Sequence, residues 1–313
     1  MRFNKLDMNL LVALDVLLTE VSITRAAARL NLSVSATSHA LGRLREYFKD
    51  DLLRQVGRKM ELTRMAQDLQ APIRDILERV DIAMSIVKPF DPSISDRTMR
   101  VLASDYTQYV ICPYLMAAAA EQRSQVQIQF HPQTGASINE LERGECDLLI
   151  LPAGFGSAFH PEELLWQDEL ACMVWEGSEH AHAELTLERY TSAQHVVMQP
   201  PGVRVPSLEA ILAGQRGINR RVAATTYNFT PLAALVVGTD HIATLFRRMA
   251  EQMTKAFPVV LKPSPLALPR SKQVMQWHKH RAGDPGLIWL RNLFTEAVTR
   301  MERATGAPTA GAA

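Results

Sequence analysis

Two helix-forming stretches between residues 22 and 48 are separated by only two residues, which forces a sharp change of direction between them. Ser22 is placed to cap the first, a short helix in which Ala26, Ala27 and Ala28 let a neighbour approach closely. Asn31 can take the left-handed conformation that ends it. Ser33 then caps the second. On that helix Thr37, Ala40, Leu41, Leu44 and Phe48 recur on one face, while Ser35, Ser38, His39, Gly42 and Arg43 recur on the other. A tight polar turn joining two helices, the second with a polar and basic outer face, is a helix-turn-helix pattern, whose second helix enters a DNA groove.

The flanking residues extend that reading. Asp7 can cap a preceding helix whose Leu10, Leu11, Leu14, Leu17 and Leu18 form an apolar stripe that needs a partner surface. After the second helix, Leu52 to Val56 and Lys59 to Leu62 flank Gly57 and predict a short hairpin, a wing with Arg54, Arg58 and Lys59 near its tip. Net charge is +1 for the 313 residues, yet residues 1–60 carry +4 and the remainder −3, so a basic head precedes a mildly acidic body. DNA binding needs cations against phosphates and a few side chains at base edges. Arg43 and His39 suit base edges, Ser33, Ser35 and Ser38 are shorter donors near the helix N-terminus, and Arg58 and Lys59, with Arg54 beside them on the wing, suit a tip entering the minor groove. The competing reading is a solvated helix face and an exposed hairpin.

From Leu69, the positions Leu69, Ile73, Ile76, Val80, Ala83 and Val87 follow steps of four and three, the seam of a two-stranded coiled coil on a helix predicted from Thr63 to Val87. The seam predicts a homodimer; packing against its own domain is the alternative. Lys88 to Pro92 stops the helix. From Arg97 the pattern alternates strands and helices, predicting α/β layering with mainly parallel sheets. Val126, Ile128 and Phe130 alternate with glutamines, and Ser137 to Glu140 reads as a capping box before a helix ending at Gly144. Further units read as Asp147–Leu151, His195–Met198, a helix around Ser207–Ala213, Arg220–Thr225, Phe229–Val237, Ile242–Leu245 and Val274–Trp277. Asp284-Pro285 caps a last helix running to Arg300.

A ligand in such a fold belongs where loops leave the carboxyl ends of strands. Ser104-Asp105-Tyr106 follows the first strand and opens a helix, so Ser104 offers a hydroxyl and free amides to a phenolate or carboxylate oxygen; its plainer reading is an N-cap alone. Pro200-Pro201-Gly202 and Tyr227 to Thr230 occupy corresponding places in the second half, with Arg204 as a nearby cation. Catalytic patterns are weak. Gly154-Phe155-Gly156-Ser157 lacks the second glycine of a nucleophile elbow or dinucleotide loop. The His180/His182 and His278/His280 pairs have no cysteines or paired carboxylates beside them, so neither a metal nor a cofactor is expected. Cys112, Cys146 and Cys172 lie far apart without metal or disulfide spacing. Val110 to Ala120 is too short to cross a bilayer, and Asp7, Asp15 and Glu20 interrupt any secretory signal core, so a cytoplasmic location is expected.

With these residues in view the chain resembles the LysR-type transcriptional regulators over nearly its whole length. The resemblance is carried by Met8 to Leu14, Ile23 to Ser33, Ala36 to Leu44, Asp51-Leu52-Leu53 and Leu62-Thr63. Trp277-His278 and Asp284 to Arg291 are similar to the branch of nodulation regulators and of activators of naphthalene, nitroaromatic and chloroaromatic catabolism. The resemblance implies an N-terminal winged helix-turn-helix with a long linker helix and a C-terminal α/β effector domain of two Rossmann-like lobes, similar to periplasmic binding proteins. The expected boundaries are 1–62 for the DNA-binding domain, 63–88 for the dimerising linker helix, 89–96 for a hinge and 97–303 for the effector domain. Within it, lobe 1 takes about 97–166 and 270–303 and lobe 2 about 167–269, with 304–313 a disordered tail. Pocket positions carried over from the aromatic-sensing relatives are Asp168, Asn228 and Phe229. Together with Ser104, Asp105 and Phe155 they predict a site whose aromatic walls hold a small hydroxylated or chlorinated aromatic.

The implied function is a ligand-responsive activator of an aromatic-compound catabolic operon, not an enzyme. It would bind double-stranded promoter DNA as a dimer through the linker helix and as a tetramer of two such dimers. The alternative is a two-domain α/β enzyme carrying a DNA-binding appendage. Two departures from the family pattern stand out: Val34-Ser35 replaces the usual Gln-Pro, which removes a base-reading amide, and Arg64 stands where a proline is usual.

Overall fold

The computed structural model of the protein describes residues 7–57, 59–85, 90–199, 214, 217, 218, 220–266 and 269–305. It divides the chain into two compact units between Pro89 and Phe90. In the first unit, α1 (Met8–Glu20) begins where the Asp7 carboxylate accepts the Asn9 amide at 2.8 Å. Helix α2 (Ile23–Leu30) begins at Ser22 and ends at Asn31, whose φ is 53°. Helix α3 (Val34–Phe48) is capped by Ser33, whose hydroxyl accepts the Ala36 amide at 3.1 Å. Leu10, Leu14, Leu17 and Leu18 of α1 close on Ala26, Leu41, Leu44, Leu52 and Leu53, forming one apolar cluster. The helical stripe on α1 and the inner face of α3 therefore stabilise each other by leaving water.

Strands β1 (Leu53–Val56) and β2 (Lys59–Leu62) pair antiparallel around Gly57, whose φ of 62° favours a residue without Cβ. Asp50 ties the wing to the next helix. Its Oδ1 accepts the Leu52 amide at 2.7 Å and the Thr63 hydroxyl at 2.6 Å, and the Thr63 Oγ1 accepts the Ala66 amide at 3.1 Å, capping α4 (Arg64–Ser85). The Thr63 hydroxyl holds the Asp50 carboxyl below its usual range. A threonine cap thus starts α4 in the absence of the expected proline.

The seam expectation needs correction at its beginning. Ile73 is buried, and Leu69 and Leu77 pack beside it against the leucines of α1, so this face belongs to the head itself. Gln70 donates to the Leu18 carbonyl at 3.0 Å, and Arg74 pairs with Asp15 at 3.3 Å. Ile76, by contrast, remains 43% exposed. The Ala83 side chain and Val87 lie outside the described residues.

The second unit contains two five-stranded sheets. The first has the order β4-β3-β5-β12-β6, from β3 (Thr98–Leu102), β4 (Gln127–His131), β5 (Leu148–Pro152), β6 (Glu162–Asp168) and β12 (Ser271–Gln276). The second is β11-β7-β10-β8-β9, from β7 (Leu170–Trp175), β8 (Gln194–Met198), β9 (Arg221–Thr226), β10 (Ile242–Phe246) and β11 (Val259–Pro263). In the first sheet β4, β3 and β5 pair parallel and β12 pairs antiparallel with both β5 and β6; in the second β10, β8 and β9 pair parallel and β7 pairs antiparallel with both β10 and β11. The sheets are thus mixed: four of the five strands in each share one direction, as the expectation of mainly parallel sheets requires, and one strand is reversed. The reversed strands are β7 and β12, the ones entered at the two passages between lobes, β6 to β7 and β11 to β12, where the described residues form no helical crossover between the two strands.

Helices α5 (Asp105–Glu121), α6 (Ser137–Glu142), α7 (Leu187–Ser192), α8 (Leu232–Val236), α9 (Arg247–Met253) and α10 (Pro285–Thr305) cover the sheets. Ser137 lies within the first turn of α6 with its hydroxyl accepting the Thr134 amide, so it is not the cap the capping-box reading predicts. The last helix runs on to Thr305, which shortens the expected tail by two residues; 306–313 lie outside the described residues. The predicted helix around Ser207–Ala213 also lies outside them.

Asp284 caps α10 through the Gly286 amide at 2.9 Å and accepts both Arg97 guanidinium nitrogens at 2.7 Å. Arg281 reaches Asp284 at 3.0 Å and Asp147 at 2.6 Å, and Asp147 accepts the Arg100 amide at 2.6 Å. One ion cluster therefore joins β3, the start of β5 and the final helix. Although burial opposes its charge, the two guanidiniums hold the Asp284 carboxyl well below the usual carboxylate range. Removing it in Asp284→Ala should leave two partly buried cations sharing Asp147 and cost about 3–5 kcal/mol by urea unfolding at pH 7. A depressed folded-state pKa contributes stability that is complete above about pH 4 and is lost as pH falls below it. The difference between wild type and Asp284→Ala should therefore narrow in acid.

Candidate DNA interface and effector cleft

On α3 the inward residues Thr37, Leu41 and Leu44 are buried, while Ser35, Ser38, His39, Gly42 and Arg43 are exposed together, as the sequence periodicity requires. The Ser33 hydroxyl is engaged as the helix cap, and the Ser35 Oγ lies 3.0 Å from it. These two serines are thus tied to the helix start. Arg43 on the helix and Arg54 and Lys59 on the hairpin are exposed, and among the described residues none of the three forms an ion pair. Arg58 lies outside the described residues.

Other basic side chains in the head are committed to the fold. Arg25 and Arg29 pair with Glu20 at 3.3 and 3.0 Å, and Arg45 donates to the Asp51 and Leu53 carbonyls at 2.8 and 2.6 Å. Unpaired cations therefore concentrate on the recognition helix and wing, where phosphate oxygens would replace solvent as their partners. The helical period already puts Arg43 on the outer face and Arg45 next to Leu41 on the inner side; the fold of the hairpin supplies the carbonyls that Arg45 meets.

In the effector unit the predicted pocket residues divide into two groups. Ser104 caps α5, its Oγ accepting the Thr107 amide at 3.3 Å. It is half-buried at the carboxyl end of β3, as is Asn228 beyond β9. Asp105, Asp168 and Phe229 instead join the lobes. Asp105 Oδ2 accepts both the Thr230 amide at 2.8 Å and the Thr230 hydroxyl at 2.7 Å. Asp168 is the last residue of β6 before the chain passes to the second lobe. It accepts the Tyr106 hydroxyl at 2.7 Å, the Glu169 amide at 2.8 Å and the Arg248 amide, at the start of α9, at 3.3 Å. Burial pushes its carboxyl up to about 6 despite these donors.

Tyr106 lies at the centre of this joint. It is 1% exposed, stacks on Phe246 at 4.1 Å between ring centroids, meets the Phe229 edge at 6.1 Å and accepts the Trp166 indole N–H at 2.9 Å. Burial raises its phenol well above the usual value, so it stays a hydroxyl donor. Nothing local in the sequence marks it: its acceptor stands 62 residues away, and an aromatic in a first helical turn reads as ordinary core. Phe229 is buried in the same cluster, whereas Phe155 packs over Leu102, Leu149, Leu151 and Val274 in another. The two rings thus serve different apolar clusters. Pro200 to Gly202 and Arg204 lie outside the described residues.

The glycine-rich bend also has a structural explanation. Gln276 donates to the Ser157 carbonyl at 2.8 Å and accepts its amide at 2.9 Å, approaching Gly156 so closely that a Cβ there would collide with it. His160 and His278 face each other with ring centroids 4.7 Å apart, and burial and the neighbouring ring lower the His160 pKa. Among the described residues no group of three His, Cys, Asp or Glu is placed to hold a metal ion, and no helix is long and apolar enough to cross a membrane.

An exposed basic recognition helix followed by a two-lobed ligand-binding fold defines a class, the ligand-responsive transcriptional regulators. Residues 8–67 match the bacterial regulatory helix-turn-helix proteins of the lysR family, and residues 93–299 match the LysR substrate binding domain. The chain belongs to the LysR family, and its function is regulatory, not enzymatic. It is 36% identical over 301 residues to nodulation protein D 2 of Rhizobium leguminosarum bv. phaseoli, covering 96% of this chain and 95% of that protein. Among solved structures, a probable transcriptional regulator of Pseudomonas aeruginosa is similar with TM-score 0.63 and 26% identity, covering 92% of this chain and 96% of the other. A full-length OxyR variant of the same organism shares the fold at TM-score 0.72 and 13% identity, with 94% of each chain covered.

Replacing Thr230 by Val removes one donor to Asp105 while keeping the backbone N–H and the side-chain shape. The variant should stay folded but lose about 1 kcal/mol in chemical denaturation, the usual net worth of one such hydrogen bond.

Proposed function

We propose that this LysR-family protein is a ligand-responsive activator that grips a two-fold promoter site as a homodimer. The observation that carries the reading is that Arg43, on the polar outer face of α3, and Arg54 and Lys59, on the hairpin, are exposed and form no ion pair among the described residues. In this reading Arg43 and His39 meet base edges, Ser38 and the capped turn at Ser33 and Ser35 lie against the backbone, and Arg54, Arg58 and Lys59 follow phosphates along the wing. A two-fold site needs two heads, and the outward Ile76 and half-buried Val80 on α4 support a partner helix there. A tetramer of two such dimers extends the same reading. Lys59→Ala should weaken binding to all sequences and flatten its salt dependence, whereas Arg43→Ala should also cost about 1–3 kcal/mol of preference for the selected site. Equal losses on selected and random DNA would remove Arg43 from base reading.

The effector in this proposal is a hydroxylated or chlorinated aromatic bound between the lobes, its oxygen met by the Ser104 turn and by Asn228. Asp105, Asp168 and Phe229 then hold the lobes in register around it. Neutral donors at these loop ends favour a weakly acidic phenol over a dicarboxylate. The target we infer is an operon for aromatic-compound metabolism; the nodulation relatives support the activator branch, and genome-wide footprinting of the bound DNA identifies the neighbouring genes. Ligand binding to the folded state raises the melting temperature with ligand concentration. A thermal-shift panel of phenols, chlorophenols, hydroquinones, salicylate, flavonoids, amino acids and sugars should respond to aromatics, and Ser104→Ala and Asn228→Ala should blunt that response. Stabilisation by amino acids or sugars with every aromatic silent overturns the ligand class.

A further inference from the structure

The recognition helix carries an anomaly at its first residue. Val34 is 50% exposed and Leu32, just before the cap, is 49% exposed, so two aliphatic side chains face solvent at the end of a helix whose outer face is otherwise polar. Neither is needed by the core of the head, which Thr37, Leu41 and Leu44 complete from α3. The Ser33 Oγ accepts the Ala36 amide at 3.1 Å, and the Ser35 Oγ lies 3.0 Å from the Ser33 Oγ, so both hydroxyls are held at the cap. Between them the start of α3 presents the branched methyl pair of Val34.

The N-terminal residues of a recognition helix are those that reach base edges in the major groove. The one apolar group displayed there by a base pair is the thymine C5-methyl, which aliphatic side chains contact. Adenine and guanine offer the polar N7 at the groove edge, and burying it against Val34 leaves it without a hydrogen bond, while cytosine has only a hydrogen at C5 and lacks the methyl contact. We infer that Val34 is a specificity-determining residue that packs on a thymine methyl in each half-site. The inference rests on α3 being the DNA-reading helix, as proposed above. It assigns to this position an apolar contact in place of hydrogen bonding.

The test removes the methyl group alone. The preferred site is first obtained by selection from random DNA with the full-length protein, and each thymine is then replaced singly by deoxyuridine at constant salt. With wild type, one thymine per half-site should lose about three- to fivefold in affinity, the worth of burying one methyl group. Val34→Ala should lose a similar factor on thymine and nothing further on deoxyuridine at that position, and selection repeated with this variant should no longer prefer thymine there. Alanine is a better helix former than valine, so α3 should remain folded, which circular dichroism checks. If no single replacement affects wild type, or if the loss persists undiminished in Val34→Ala, the inference is overturned. Were Arg43→Ala also to leave site preference intact, the failure would lie with α3 as the reading helix; loss of preference in Arg43→Ala alone would confine it to Val34.

Discussion

The effector unit depends on a buried carboxylate at the point where the chain changes lobes. Asp168 ends β6, Leu170 begins β7, and only Glu169 separates the two sheets at that passage. A connection this short leaves little slack between the two sheets. Its orientation is set by three donors from different elements: Tyr106 on α5, the amide of Glu169 and the amide of Arg248 on α9. An ionised carboxyl out of water requires such donors, and the raised pKa of about 6 measures how incompletely they replace solvent. The aromatic stack of Tyr106 on Phe246 then fills the space that the polar contacts leave.

This joint gives the α5 N-terminus a double task. Ser104 caps the helix at the end of a central strand, Asp105 grips Thr230 across the lobes, and Tyr106 holds the crossover. Three consecutive residues thereby connect a strand end, a cap and two interlobe contacts. A ligand oxygen arriving at the Ser104 turn would act on a segment already coupled to the lobe angle, which is the physical requirement for binding to be converted into a change of state. The DNA-binding unit solves a different problem with the same local devices. Side-chain caps from Asp7, Ser22, Ser33 and Thr63 start its four helices, so the positions of the recognition residues follow from short-range hydrogen bonds and one leucine-rich core.

Much of the head was legible in the residues because its determinants are local. Caps act within three positions, the αL residue Asn31 comes immediately after its helix, and the inner and outer faces of α3 obey a helical period. The same holds for Asp284 at the start of α10 and for Ser104 at the start of α5. The seam on α4 shows the limit of such reasoning. Leu69 and Ile73 have the spacing of a coiled coil, but periodicity reports only that a face is apolar, and α1 was close enough to claim it.

What the sequence by itself determined was therefore the set of helices, their caps, the polar face of α3 and the alternation that builds two α/β lobes. The tertiary structure alone decided which partners those groups meet. It engaged Asp105, Asp168 and Phe229 in interlobe contacts, placed Tyr106 at their centre, and tied Arg45 to the base of the wing. The reason is separation along the chain: a cap is chosen by neighbours a few residues away, whereas Asp105 and Thr230, 125 positions apart, meet only after both lobes have folded.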